Sequence, residues 1–138
     1  MNRNENIYCA ESEKSVTKFV EDFADVIKSR DFVLNNPGTM NMKATFSEHG
    51  GQIPDDFDLY MLQICKPTKA DKSLAANRER AVLMPKFVHV FSAEGKTQIR
   101  YMSYSQEDIA ALVPGDANFP ESLEQTFTTI QAMIDEAR

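Results

Sequence analysis

Cys65 is the residue whose type and setting most invite chemistry. The run Leu59-Tyr60-Met61-Leu62-Gln63-Ile64-Cys65 is almost uniformly apolar, as in a central strand buried on both faces, and Pro67 closes it. A thiol at the end of such a strand lies beside the free N–H groups of a helix start, which favour the thiolate. The plainer reading is core filling, because free cysteine is among the most buried side chains. Lys66 and Lys86 would reinforce a thiolate if the loops bring them close. His89 alternates with Phe87 and Phe91, so these three share one face of a strand while Val88 and Val90 occupy the other. Under helices, His89 would be a neutral core histidine with a hydrogen-bond partner, the simpler expectation; on an open face it would belong to a dimer interface or an aromatic-lined pocket.

The remaining candidates read as structure. Cys9 suits a strand, and His49 beside Gly50-Gly51 suits a helix end stabilised by the dipole. Asp55, Asp56 and Asp58 supply the oxygens a hard cation needs, but their spacing is not that of an EF-hand loop, and a solvated turn is the ordinary reading. Cys9, Cys65, His49 and His89 have no zinc spacing, so no metal is expected. Neither a phosphate-binding glycine loop nor a dinucleotide fingerprint occurs, no cofactor is implied, and no local motif marks a Ser-His-Asp grouping. Lys66, Lys69 and Lys72 recur every three residues, as on the solvated face of a short helix, and the scattered methionines read as core filling.

These residues need elements to hold them. Asn6 to Ser12 reads as a strand with Ile7 and Cys9 on one face and Tyr8 and Ala10 on the other. Ser15 offers an N-cap before Val16, Phe19, Val20, Phe23, Val26 and Ile27, a continuous helical stripe opposite the charged Lys18, Glu21, Asp22, Asp25 and Lys28. Phe32-Val33-Leu34 reads as a second strand stopped by Asn35-Asn36-Pro37-Gly38, and a short helix is expected from Asn41 to His49. After the strand ending at Cys65, Thr68 is positioned to cap a helix through Leu74, Ala75 and Ala76. Phe87 to Phe91 and Thr97 to Tyr104 form a hairpin joined by Ser92-Ala93-Glu94-Gly95-Lys96. Ser105 caps a helix that ends before Pro114-Gly115, and Pro120 opens a last helix striped by Leu123, Phe127, Ile130 and Ile134.

With 138 residues, 42% hydrophobic and 26% charged, and without repeats or linkers, the chain is expected to be a single α+β domain, 1–138, whose first five residues form a tail. A net charge of −6 argues against nucleic acid and against an anionic membrane surface. The polar N-terminal run before Ile7 lacks the apolar core of a secretory signal, so a cytoplasmic setting with both cysteines as thiols is the default.

The element order resembles the bacterial and archaeal family called domain of unknown function 302. Its pieces here are Glu13-Lys14-Ser15-Val16 opening the first helix, Lys28-Ser29-Arg30-Asp31-Phe32 closing it, Ile64-Cys65-Lys66-Pro67, and Leu83-Met84-Pro85 before the hairpin. The resemblance implies a two-layer sandwich, with helices on one face of a largely antiparallel, TATA-binding-protein-like sheet, often assembled as dimers. That architecture does not carry DNA binding with it, because function belongs to the site. Asp31 stands where members commonly have Gly, and Lys86 where many have Cys, so chemistry that needs two thiols lacks its second one here. The expected function is a non-enzymatic homodimeric module that binds a small apolar ligand or a protein near Cys65, Lys86 and His89. The alternative is thiol-dependent redox or sulfur handling at Cys65.

Overall fold

The computed structural model describes residues 6–138, so the expected tail over residues 1–5 lies outside the described residues. Five strands form one antiparallel sheet in the order β1-β5-β4-β3-β2, with β1 at Ile7–Ser12, β2 at Val33–Leu34, β3 at Leu59–Cys65, β4 at Lys86–Ala93 and β5 at Lys96–Met102. The helices are α1 Val16–Ser29, α2 Met42–Glu48, α3 Pro67–Ala76, α4 Gln106–Leu112 and α5 Phe119–Ala137, with a 3-10 turn at Arg78–Leu83. No helix among the described residues is long and apolar enough to cross a membrane.

The amphipathic stripe of α1 buries Val16, Phe19, Val20, Phe23 and Ile27, and Ser15 Oγ accepts a hydrogen bond from the Lys18 amide as its N-cap. That stripe and the one on α5 meet the sheet face formed by Leu62, Ile64, Val88, Val90, Ile99 and Tyr101. All the buried core residues of the strands lie on this face. Cys9, Arg100, His89 and Met61 form a cross-strand row on the opposite face, and each is only half-buried. The expectation that β3 is buried on both faces is therefore corrected. Its open-face residues Leu59, Met61 and Gln63 are shielded only in part, because the two long helices spend their apolar stripes on the other side. Likewise Met133 is core, whereas Met102 is 53% exposed at the sheet surface.

Two local details differ from the sequence reading. Lys66, not Thr68, is the N-cap of α3, because Pro67 fits the first helical position, where a fixed φ helps and a missing N–H costs nothing. The hairpin closes through two residues, Glu94 and Gly95, with φ of 56° and 75°, which is the turn geometry that matches the twist of the strands. At the end of α1, Asp31 adopts a φ of 63°. Its amide donates to Lys28 O and the Phe32 amide to Ile27 O, a Schellman ending that turns Phe32 into the core. A left-handed non-glycine residue is strained, so Asp31→Gly is expected to stabilise the protein by about 0.5–1 kcal/mol, read as a higher midpoint in urea.

Candidate functional site

Two adjoining cavities lie at the end of the sheet where β3 finishes and β4 begins, and Lys86 lines both. The first is built by local chain geometry. After Cys65 the chain turns straight into α3, whose residues Lys66, Lys69, Ala70 and Ser73 share a face by three- and four-residue spacing. Phe119, Ser122, Leu123 and Thr126 from the start of α5 form the facing wall, with Phe32 and Met84 beside them. The space enclosed is about 30 Å³.

Its polar lining is cationic. Lys69 Nζ donates to Ser122 O at 3.1 Å and to Thr126 Oγ1 at 2.7 Å. Lys86 Nζ donates to Met84 O at 3.2 Å, and Lys66 Nζ lies 5.8 Å from the centre of the Phe32 ring. Among the described residues, none of these three ammonium groups has a carboxylate within ion-pair distance. Burial pushes the pKa of Lys69 down, and the charge of Lys66 pushes it further. Burial also lowers Lys86; Cys65 opposes that shift and Lys69 reinforces it.

The second cavity, about 210 Å³, is walled by Leu83, Pro85, Phe87, His89, Tyr104 and Phe127 along with Lys86. His89 stacks on Phe87 with ring centres 6.5 Å apart, and its ring has no hydrogen bond among the described residues. Burial lowers its pKa and so favours the neutral imidazole. The expected core histidine with a satisfied ring is thus replaced by a cavity-lining one, because Val88 and Val90 take the helix-covered face. Tyr101 also lines this cavity; its ring meets Phe127 edge-on at 6.0 Å, and its hydroxyl is buried with no hydrogen-bond partner.

Both cavities rest on a clamp that sequence reasoning missed. Asp116 accepts from Arg80 Nε at 2.6 Å, Arg80 Nη2 at 2.9 Å, Asn77 Nδ2 at 2.9 Å and the Phe119 amide at 3.1 Å. The Arg80 guanidinium lies 4.9 Å from the Phe119 ring centre, tying the 3-10 turn to the start of α5. Two of the three residues singled out, Cys65 and Lys86, line the first cavity; Lys86 and His89 line the second. Cys65 is half-buried and lines a cavity, so it is not the core filler expected. Lys66 and Lys69 depart from the solvated-face reading, which Lys72 alone satisfies by being exposed. The acidic run gives an ordinary turn, where the Asp58 amide donates to Ser92 Oγ and Lys43 lies 3.8 Å from the Asp58 carboxylate.

An antiparallel sheet with its long helices on one face, and with paired cavities at one end, defines a half-open α+β sandwich. The model of the family described as domain of unknown function DUF302 matches residues 8–137, and the chain belongs to that family. The crystal structure of an uncharacterized conserved protein DUF302 from Bacillus stearothermophilus is similar, with a TM-score of 0.80 at 16% identity over 98% of this chain and 100% of that one. At that identity the likeness speaks for the fold. No curated protein matches the chain.

Proposed function

We propose that the protein is a non-enzymatic binding module for a small, mainly apolar ligand, and that it acts as a homodimer in the cytoplasm. The observation that carries the reading is an aromatic cavity of about 210 Å³, walled by Phe87, Tyr101, Tyr104 and Phe127. An apolar cavity of about 150 Å³ is enough to hold benzene, so this one suits a single-ring compound carrying a polar substituent. His89 and Lys86 supply the polar contacts that such a cavity uses for orientation. Dimerisation is supported by the half-open sheet face, where Ile7, Val33 and Met102 are exposed beside half-buried Met61, Phe87 and Phe91.

A thermal-shift screen of single-ring aromatic alcohols and acids tests the reading. A ligand at about one hundred times its Kd stabilises the native state by about 2.7 kcal/mol, which raises the melting temperature clearly. Absence of any shift across a broad library at saturating concentration would sink the small-ligand role. Light scattering at micromolar concentration should give twice the 15.6 kDa chain mass, and a monomer would remove the dimer.

The proximity of Lys86 to Cys65 favours one second reading, thiol chemistry, because an ammonium group stabilises a thiolate. The alkylation rate of Cys65 against pH in the Cys9→Ser protein decides it. A thiol inert until unfolding eliminates redox chemistry, whereas rapid modification below neutral pH overturns the purely binding role.

A further inference from the structure

We propose that the narrow cavity walled by Lys66, Lys69 and Lys86 is a binding site for a compact oxyanion group, a phosphate or a carboxylate. It is a second site, sharing only Lys86 with the aromatic cavity.

The cavity holds ammonium donors that the protein leaves unused. An ammonium group has three N–H donors. Lys69 uses two of its three and Lys86 one, which leaves three N–H groups on half-buried cations without a protein acceptor, before Lys66 is counted. Charge gives the same answer. Three cations converge on one cavity in a chain of net charge −6, yet no carboxylate among the described residues pairs with any of them. Like charges held together with part of their hydration removed repel one another, and a counter-charge relieves this. A neutral apolar occupant would desolvate the lysines further and neutralise nothing. An oxyanion satisfies both needs, since lysine binds phosphate and carboxylate as a point charge through short charge-assisted hydrogen bonds.

The remaining lining fits the same ligand. Ser73 and Ser122, also in the lining, carry hydroxyl groups able to donate to an anionic oxygen, whereas Thr126 Oγ1 already donates to Ser122 O. The volume of about 30 Å³ is about that of one water molecule, so only oxygens of the headgroup would enter and the rest of the ligand would extend out of the cavity. The acidic surface repels anions at long range, which makes recognition here a matter of contact rather than steering.

The test is a titration of the ¹⁵N-labelled full chain with inorganic phosphate, with acetate and with benzyl alcohol, at ionic strength held constant with sodium chloride. Phosphate or acetate should shift the amides of Lys69, Ser73 and Ser122 saturably, and the tighter of the two identifies the headgroup. Lys69→Met and Lys86→Met should each weaken binding by about tenfold or more, the worth of one charge-assisted hydrogen bond, while Lys72→Met leaves it unchanged. Lys66→Met provides a third variant at the helix cap, should one of the inner two fail to fold. If neither anion exceeds chloride, or if the lysine variants bind as well as the parent chain, the oxyanion site is wrong. Benzyl alcohol reports on Phe87, His89 and Phe127, so failure of the aromatic site reads out at different residues.

Discussion

Asp116→Ala should destabilise the protein by about 3 kcal/mol, a large part of the stability of a domain this size. The side chains of Asp116 and Arg80 are 6% and 10% exposed, and the carboxylate accepts from two guanidinium nitrogens, an amide side chain and a backbone N–H. Removing it leaves a covered guanidinium without its counter-charge, and that uncompensated charge, rather than the value of the pair, sets the magnitude. The double variant Arg80→Met with Asp116→Leu should therefore recover much of the loss, as a urea-melt cycle will show. The pH dependence has a definite sign. The Arg80 hydrogen bonds hold the Asp116 carboxyl well below the usual carboxylate range. Near pH 4 the unfolded chain takes up a proton that the native state refuses, so this contribution is full above that pH and falls away on acidification. Asp116→Ala should flatten that part of the acid limb. Because Arg80 also covers Phe119, the variant should loosen the start of α5 and weaken phosphate binding at the lysine cavity.

The elements were legible in the sequence wherever periodicity was long or a turn was strongly marked. The stripe from Val16 to Ile27 and the caps at Ser15 and Ser105 follow from local chemistry that tertiary packing did not override. Alternation along β4 separated Phe87, His89 and Phe91 from Val88 and Val90, but it carries no information about which face the helices cover. That depends on where α1 and α5 pack, a long-range fact. For the same reason Lys66 and Lys69 read as surface residues, since the wall that covers them comes from Ser122 and Thr126, more than fifty positions away. Arg80 and Asp116 are 36 positions apart, one in an irregular 3-10 turn and the other in a loop, so no periodic signal joins them.

The two faces of the sheet should answer truncation differently, and the comparison bears on the proposed dimer. Phe23→Ala should cost about 4 kcal/mol, because Phe23 is 1% exposed and stacked on Phe19 with ring centres 5.6 Å apart, and α1 cannot collapse onto the void without leaving the sheet. Phe91→Ala removes the same ring from the half-buried face, where Arg100 lies 5.4 Å from the ring centre and water already reaches it. In an isolated chain its cost should stay near 1 kcal/mol, the sum of partial burial and one exposed cation–π contact. A second copy seated on this face would change that result. Burial of Phe91 would then be completed only in the dimer, and the loss on truncation would grow with protein concentration by mass action. Urea melts of both variants across a hundredfold range of concentration separate the cases. A concentration-independent cost for Phe23→Ala with a rising cost for Phe91→Ala places the interface on the open face. Two constant costs would place it elsewhere or show that the chain stays single.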